Sequence, residues 1–480
     1  MASTSAFVVA VDQGIASTKA FRLTRQGEFT ALCSLEHRQF YPQAGWFEHD
    51  PLELLRAVEH CLEHATGAEG VGLDNQGETV VAWSAETGEP LYNAIVWQDS
   101  RTTPMVNALR ADGAESVTLA KAGLPLDPYF AATKLRWILE HVPEARALAR
   151  RGKLRMGTSD SFFLDRLCGV YATDATAASR TSLMNLDTGQ WDPELCRLFG
   201  VPIAALPPIR ATVGEYGVLR KCGVPLVASA VDQQAALFGH GCRRPGELKI
   251  TFGSGAFALA VTDSPGDAMR RGGMVPTIAW RIDGRDTYAL DAGVYNAVSA
   301  MNWVRSLGLF SQQRELDAFD GPSALERGLA FVPALSGLAS PYWDRSAAGM
   351  WLGLDLETDR RLMVRSALEG VVLRTAQAVS AMNERVPLAS SVSVDGVLTN
   401  SRYFCDFLAR ALNRTVVVPS NVDLTGLGCA LLAYMGAGLG TMEQLPPQAP
   451  PMRVIHPDQP LDPSLHARYA DATSRVRRWR

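Results

Sequence analysis

The sequence has 480 residues, more than one ordinary domain, so we expect two or three hydrophobic cores. Apolar residues make up 47% and charged residues 20%, which is typical of a globular protein, and no apolar run in the sequence is long enough to cross a membrane. The net charge of −4 gives no overall attraction to nucleic acid or to anionic lipid.

The amino terminus and the cysteines favour a cytoplasmic location. The opening MASTSAF lacks the basic segment and the apolar core of a secretion signal. The eight cysteines form no CxxC pair, so we expect buried free thiols.

Strand and helix patterns alternate along the chain, which favours an α/β architecture. The closely spaced stretches AFVVAVD, KAFRLT and FTALCSL predict strands joined by hairpins, and PLELLRAVEHCLEHA has helical spacing. Residues 247–262, ELKITFGSGAFALAVT, repeat the opening pattern of strand, small-residue break and strand. We therefore predict an internal duplication with two domains, 1–243 and 244–480. The GHGCRRPGE cluster would form an exposed connection between them.

Two turns of small residues, GIAST and FGSGAF, each separate a pair of apolar strands. Such turns direct backbone N–H groups and hydroxyls at one point, which suits phosphate oxygens. Asp12 ends the first strand, and Mg²⁺ prefers oxygen ligands such as its carboxylate. The pattern predicts a nucleotide polyphosphate between two domains, although each turn alone is also typical of a plain hairpin. The sequence has no GxxxxGK[ST] loop and no GxGxxG after a strand.

A second acid, Asp232, ends an apolar stretch in VASAVDQQAALFG. A carboxylate at the carboxyl end of a strand lies where α/β proteins bind ligands. The residues alone are as consistent with a helix cap as with a catalytic base.

These strings resemble the FGGY carbohydrate kinases, and within that family the members that act on glycerol. The resemblance covers nearly all 480 residues and rests on AVDQGIASTKA, AGWFEHDP, YNAIVWQDSRT, GLPLDPYFAATKLRW, TDATAASRTSLMN, VDQQAALFGHG, FGSGAF, LSGLASPYWD and VDG. It implies an actin-like ATPase fold, an α/β fold with two ribonuclease-H-like domains around a central cleft. It also implies that ATP and Mg²⁺ are used to phosphorylate glycerol or a related small polyol at a terminal hydroxyl. Homodimers or homotetramers are common in the family.

The resemblance also implies a set of site residues. Asp232 would be the general base and Asp12 would hold the metal. Glu78, Tyr129 and Gln233 would pair with substrate hydroxyls, and Trp97 with Phe257 would form an apolar wall. The implied substrate residues are Gly77, Glu78, Trp97, Tyr129, Asp232, Gln233 and Phe257, and the implied nucleotide residues are Gly14, Ser17, Thr18, Lys19, Gly253, Ser254, Gly255, Gly396, Val397 and Ser401.

The sequence departs from the family at several of these positions. Members that act on glycerol have an Arg before the Glu of the polyol site, where this chain has Gly77; the lost guanidinium predicts weaker glycerol binding or a longer or branched substrate. Ile15, Ala16, Val397 and Ser401 replace family residues around the nucleotide and predict a reshaped adenosine pocket or weak nucleotide binding. A kinase for another polyol or ketose, and a catalytically reduced ligand-binding relative, therefore remain alternatives. The segment LRKCGVPLVAS lacks a GGTR-type loop, so we expect no regulation by fructose 1,6-bisphosphate.

Overall fold

The computed structural model describes residues 6–266, 270, 273–317 and 319–479. The predicted opening hairpin is present, because Gly14 and the residues after it turn the chain between two antiparallel strands, and the Gly14 N–H donates to the Ser17 carbonyl at 3.0 Å. The strands of the first half are β1 (Phe7–Gln13), β2 (Ser17–Thr24), β3 (Phe29–Glu36), β4 (Glu48–His49), β5 (Val71–Asn75), β6 (Val80–Ser84), β7 (Ala94–Ile95), β8 (Leu154–Thr158), β9 (Thr173–Asp174), β10 (Met184–Asn185), β11 (Gln190–Trp191), β12 (Ile209–Arg210) and β13 (Leu226–Val231).

Helices form in the stretches where the sequence has apolar residues at helical spacing. The first helix begins after Asp50, whose side chain caps it by accepting from the Leu52 N–H, and Pro51 occupies its first turn. Pro143 divides the stretch TKLRWILEHVPEARALARR into two helices, because proline cannot continue a helical hydrogen-bond ladder. The helices of the first half are α1 (Pro51–Leu62), α2 (Thr103–Ala111), α3 (Glu115–Lys121), α4 (Ala131–His141), α5 (Pro143–Arg150), α6 (Ser159–Cys168), α7 (Ala175–Ala178), α8 (Pro193–Phe199) and α9 (Asp232–Gly239).

The second half opens with the same strand, turn and strand arrangement. Its strands are β14 (Leu248–Phe252), β15 (Ala256–Thr262), β16 (Val275–Ile282), β17 (Arg285–Val294), β18 (Ala330–Val332), β19 (Met350–Leu352), β20 (Ser391–Gly396), β21 (Thr415–Val418) and β22 (Arg453–Ile455). Its helices are α10 (Val298–Ser306), α11 (Arg360–Asn383), α12 (Arg402–Leu412), α13 (Leu424–Gly436) and α14 (Pro463–Arg475). Short 3₁₀ turns cover Glu63–Ala65, Ile203–Ala205, Gln313–Leu316, Val397–Asn400 and Met442–Gln444.

The two main sheets share one topology. The first has the order β13-β5-β1-β2-β3, and the second has the order β16-β17-β15-β14-β20-β21-β22. In each, a hairpin (β1–β2 or β14–β15) is followed outward by a parallel partner (β5 or β20) and by a second parallel strand (β13 or β21). Two lobes built on the same plan follow from this repetition, as the duplicated sequence pattern predicts.

The lobes share a hydrophobic core near α9. Leu237 and Phe238 of α9 belong to the same buried cluster as Leu259 and Trp280 of the second lobe. Helix α13 packs against α9 and against the first sheet, although it lies late in the chain. The domain boundary at 243/244 therefore stays a prediction. In the connection of residues 239–247, Arg244 and Pro245 are exposed and the other residues are buried or half-buried.

The α9–α13 contact depends on two glycines. A Cβ on Gly428 would overlap the Ala235 carbonyl, and a Cβ on Gly239 would overlap the Leu424 carbonyl. The two helix backbones can approach this closely only because neither position has a side chain.

We predict that Gly428→Ala destabilises the fold by about 3 kcal/mol, because the new methyl group forces the two helices apart. The measurement is the shift of Tm. Gly214→Ala is the matched control, since a Cβ there meets nothing closer than 4.0 Å. Equal Tm values for the two variants would contradict the close packing of these helices.

Candidate active site

A cavity of about 160 Å³ lies between the two lobes. A volume of this size suits a small molecule such as a polyol and is below that of pockets for drug-sized ligands. Ile15, from the first predicted phosphate turn, also lines it. All seven predicted substrate residues line the cavity: Gly77, Glu78, Trp97, Tyr129, Asp232, Gln233 and Phe257. The structure therefore brings together residues that are widely separated in the sequence.

Asp232 is the first residue of α9 and follows β13 directly. The pKa of its carboxyl is raised to about 7 by burial, with smaller contributions from the negative charges of Glu78 and Asp12. Its Oδ1 accepts from the adjacent Gln233 N–H at 2.6 Å, and no side chain caps the helix. A carboxylate with a pKa near neutrality, in a cavity, is suited to accept a proton.

Glu78 is held in an unusual backbone conformation by its surroundings. Its φ is +55°, in the left-handed region that side-chain-bearing residues rarely adopt. Arg180 Nε donates to Glu78 Oε1 at 2.5 Å, and both side chains are buried. Burial raises the pKa of Glu78, and the positive charge of Arg180 opposes that rise.

Two charged residues of the cavity were missed by the sequence analysis. Arg180 lies within the stretch TDATAASRTSLMN, and Asp291 interrupts the otherwise apolar end of β17. They approach each other at 3.0 Å between Arg180 Nη1 and Asp291 Oδ2. The available signal was a charged residue between small or apolar ones, which indicates either a buried ion pair or a site.

Three aromatic side chains, which include the predicted apolar pair Trp97 and Phe257, lie along one side of the cavity. Trp97 contacts Tyr129 edge to face at 5.5 Å and Phe257 at 6.1 Å between ring centroids. The Tyr129 segment is fixed by the buried Lys134, whose Nζ donates to the carbonyls of Pro128, Tyr129 and Phe130 at 2.9, 2.6 and 3.0 Å. Burial lowers the pKa of Lys134 to about 8. Lys134 therefore supports the Tyr129 part of the wall within the first lobe, whereas Phe257 comes from β15 of the second lobe.

Gln233 is oriented by a residue of the other lobe. Lys249 of β14 donates to Gln233 Oε1 and to Thr251 Oγ1. Burial lowers the pKa of Lys249. With its carbonyl oxygen occupied by Lys249, the Gln233 amide nitrogen is the group left to donate toward a ligand.

Asp12 lies beside a second acid at the carboxyl edge of the first sheet. Asp12 and Asp74 are opposite each other on the parallel strands β1 and β5. Burial raises the pKa of both, and the charge of Asp12 adds to the rise at Asp74. Two crowded carboxyls form an oxygen-only set that a divalent cation would relieve, so these residues fit Mg²⁺.

In the described part of the chain, no three His, Cys, Asp or Glu side chains are grouped to hold a metal. Mg²⁺ commonly uses one or two carboxylates, with water and substrate phosphates supplying the other ligands. An Asp12–Asp74 pair is compatible with that arrangement.

The first predicted phosphate turn has few exposed hydroxyls. Ser17 is half-buried, and Thr18 is fully buried because successive side chains of β2 alternate between its two faces. Lys19 pairs with Asp423 at 2.8 Å, immediately before α13. Gly14 and these three residues do not line the cavity.

The second turn borders the cavity through Gly253 and Ser254. The Ser254 carbonyl accepts from the Ala297 N–H and from the Ser299 hydroxyl, both at 2.9 Å. Gly255 cannot carry a side chain, because a Cβ would lie 2.5 Å from the Val294 carbonyl oxygen.

The remaining predicted nucleotide residues, Gly396, Val397 and Ser401, lie at the end of β20 and in the segment that leads to α12. Gly396 has a φ of +101° and lies directly against the Phe252 backbone, and Val397 is 47% exposed. Ser401 caps α12 by accepting from the Phe404 N–H at 3.0 Å and donates to a carbonyl. Its hydroxyl therefore has a structural role, and these three residues lie outside the cavity lining.

Gly77 has no room for a side chain. A Cβ at this position would lie 2.8 Å from Val231 Cγ1. Val231, the residue before Asp232, thus fills the space beside the cavity that a side chain at position 77 would occupy.

Comparison with known proteins identifies the family. Residues 7–239 match the N-terminal domain of the FGGY family of carbohydrate kinases, and residues 248–437 match its C-terminal domain. The chain belongs to the FGGY family of carbohydrate kinases. A glycerol kinase of Ectopseudomonas mendocina is 38% identical, with 98% of this chain and 99% of the relative covered.

Solved structures agree with this assignment. The glycerol kinase of Plasmodium falciparum with ADP has a TM-score of 0.88 and 26% identity, with 98% of each chain covered. A ligand-bound xylulose kinase from Lactobacillus acidophilus, at 21% identity, has a TM-score of 0.85 and covers 98% of this chain and 96% of its own, which shows a shared fold.

The predicted family and the predicted two-lobed fold, actin-like with ribonuclease-H-like domains, are confirmed. This FGGY kinase is an ATP-dependent phosphotransferase that uses Mg²⁺. Among the helices of the described ranges, none combines the length and the apolar character that a membrane span requires. The eight cysteines are free thiols, as expected, although Cys33, Cys168 and Cys222 are only half-buried.

We predict that Gly77→Arg lowers Tm and that adding Val231→Ala restores most of the loss. The single variant overpacks the site by about 1–3 kcal/mol, and removing Val231 Cγ1 relieves that overlap. Thermal melts of the wild type, both single variants and the double variant measure the coupling. Strictly additive Tm shifts would show that Val231 does not exclude a side chain at position 77.

Proposed function

We propose that this FGGY kinase phosphorylates glycerol or a closely related small polyol at a terminal hydroxyl, with Asp232 as the general base. The observation that supports the proposal is the placement of Asp232, with a pKa of about 7, in a polyol-sized cavity beside Glu78, Tyr129 and Gln233. The similarity to a protein named glycerol kinase in Ectopseudomonas mendocina supports the substrate class.

In the proposed reaction, Trp97 and Phe257 contact the carbon face of the polyol while Glu78, Tyr129 and Gln233 pair with its hydroxyls. The attacking hydroxyl oxygen forms a bond to the γ-phosphorus of ATP, its proton passes to the Asp232 carboxylate, and the bond from the γ-phosphorus to the bridging oxygen breaks, releasing ADP. Asp12, with Asp74 beside it, would hold Mg²⁺, which neutralises phosphate charge when bound.

The nucleotide contacts are part of the proposal. Gly253 and Ser254 would lie nearest the γ-phosphate, because they line the cavity. Gly14, Ser17, Thr18, Lys19, Gly255, Gly396, Val397 and Ser401 stay predictions as nucleotide residues. For Thr18 and Ser401 the contact would have to come from backbone groups, since their hydroxyls are buried.

A different polyol or a ketose is a second candidate, and one observation favours it. Gly77 supplies no guanidinium, and Val231 adds apolar bulk at the same place, which removes donors on one side of the cavity. A site that loses a polar contact can change its preferred substrate strongly.

The cytoplasmic location and a homodimeric or homotetrameric assembly also stay predictions.

We predict that Asp232→Asn lowers turnover by about two to four orders of magnitude, because the amide cannot accept the proton. The assay is coupled ADP release with glycerol, tetritols, pentitols and ketoses. Asp263→Asn serves as control, since Asp263 is an exposed acid that follows β15 and does not line the cavity. Wild-type turnover of ketoses alone would favour the second candidate, and full activity of Asp232→Asn would remove the base from its role.

The pH dependence should follow the same carboxyl. Because the pKa of Asp232 is raised to about 7, the base is protonated and inactive below that pH and active above it. We expect kcat/KM for the polyol to fall about tenfold per pH unit on the acid side of pH 7. A profile that stays level down to about pH 5 would contradict the assignment.

A further inference from the structure

Three buried polar atoms of residues that line the cavity have no hydrogen-bond partner among the described residues. They are Nη1 of Arg180, Oδ1 of Asp291 and Oε1 of Gln234, and the first two belong to one ion pair. Arg180 and Asp291 are each at most 8% exposed. Buried donors and acceptors in native proteins are nearly always paired, so such atoms in a cavity point to a missing partner.

The other two nitrogens of the Arg180 guanidinium, Nε and Nη2, already have partners. Nε donates to Glu78 Oε1, and Nη2 lies 3.4 Å from the Tyr129 hydroxyl. The guanidinium also lies over the rings of Tyr129 and Phe130, at 5.5 Å from each centroid. Its position is therefore fixed. Nη1 lies 3.0 Å from Asp291 Oδ2 without making a hydrogen bond, so its N–H groups can donate to a ligand.

Asp291 brings the complementary acceptor from the other lobe. It belongs to β17, and its Oδ2 lies 3.0 Å from Arg180 Nη1. Oδ1 is thus held beside Nη1, which contacts Oδ2 as an ion pair without a hydrogen bond. A hydroxyl group both donates and accepts one hydrogen bond, so a donor and an acceptor side by side match one hydroxyl.

We propose that Arg180 and Asp291 form a subsite for one non-reacting hydroxyl of the substrate, with Arg180 donating to it and Asp291 accepting from it. This inference rests on the proposed polyol kinase activity. A carboxylate in place of that hydroxyl would be repelled by Asp291, Glu78 and Asp232, so the subsite selects a neutral polyol over a sugar acid. Because the pair spans both lobes, the hydroxyl is fully bound only when the lobes are together.

The subsite is tested with glycerol and the two propanediols, each of which lacks one glycerol hydroxyl. KM and kcat for glycerol, and inhibition constants for propane-1,2-diol and propane-1,3-diol, are measured for the wild type and Asp291→Asn. We expect the variant to raise the KM for glycerol about 10- to 100-fold with a smaller change in kcat. For at least one diol, the one that lacks the bound hydroxyl, we expect a change of less than about twofold.

Asp286→Asn is the matched control, because Asp286 also lies on β17 in an ion pair, with Arg281, and does not line the cavity. The same factor for glycerol and both diols would show a structural role only and would overturn the subsite. If Asp291→Asn does not fold, Arg180→Lys is measured in the same way with the same criteria. Absence of glycerol turnover in the wild type would instead count against the proposed function, so the two failures are distinguishable.

Discussion

Burial of acidic side chains is the constraint on which the site depends. Glu78, Asp232 and Asp291 line the cavity between the lobes, Asp12 and Asp74 lie together at the carboxyl edge of the first sheet, and burial raises the pKa of each. Uncompensated buried charge is very costly, so part of it must be neutralised by protonation, by cations or by bound ligand. The proton affinity of Asp232, the fixed orientation of the neighbouring side chains and the fit to a divalent cation all follow from this crowding.

Cations from both lobes compensate the acids. Arg180 neutralises Glu78 and Asp291, and Lys249 lies near Asp232 while it orients Gln233. Removing one partner of such a buried pair leaves an uncompensated charge, which costs more than an exposed pair would. The polar site and the contact between the lobes are therefore linked, because the pairs Arg180–Asp291 and Lys249–Gln233 each join the two lobes beside the shared hydrophobic core.

Much of this fold could be predicted from local pattern. The two hairpins, the acid at the end of β13 and the aromatic wall all derive from short strings in which residue type and spacing carry the signal. The roles of Arg180 and Asp291 were missed because their ion-pair partners are more than 100 residues away in the sequence. Local spacing of residue types does not indicate contacts between such distant residues. The exclusion of a side chain at Gly77 depends on Val231, a contact between strand ends that a single sequence does not reveal. Ser401 illustrates the reverse: its hydroxyl caps a helix, a local role that competes with ligand binding.

In the proposed mechanism, Asp232 receives the proton of the attacking hydroxyl inside the shared cavity. A crystal structure with glycerol, Mg²⁺ and a non-hydrolysable ATP analogue would show this contact. We expect a terminal hydroxyl about 2.6–3.2 Å from an Asp232 oxygen and in line with the γ-phosphorus. A polyol bound with its hydroxyls away from Asp232, or a triphosphate directed to another part of the cleft, would contradict it.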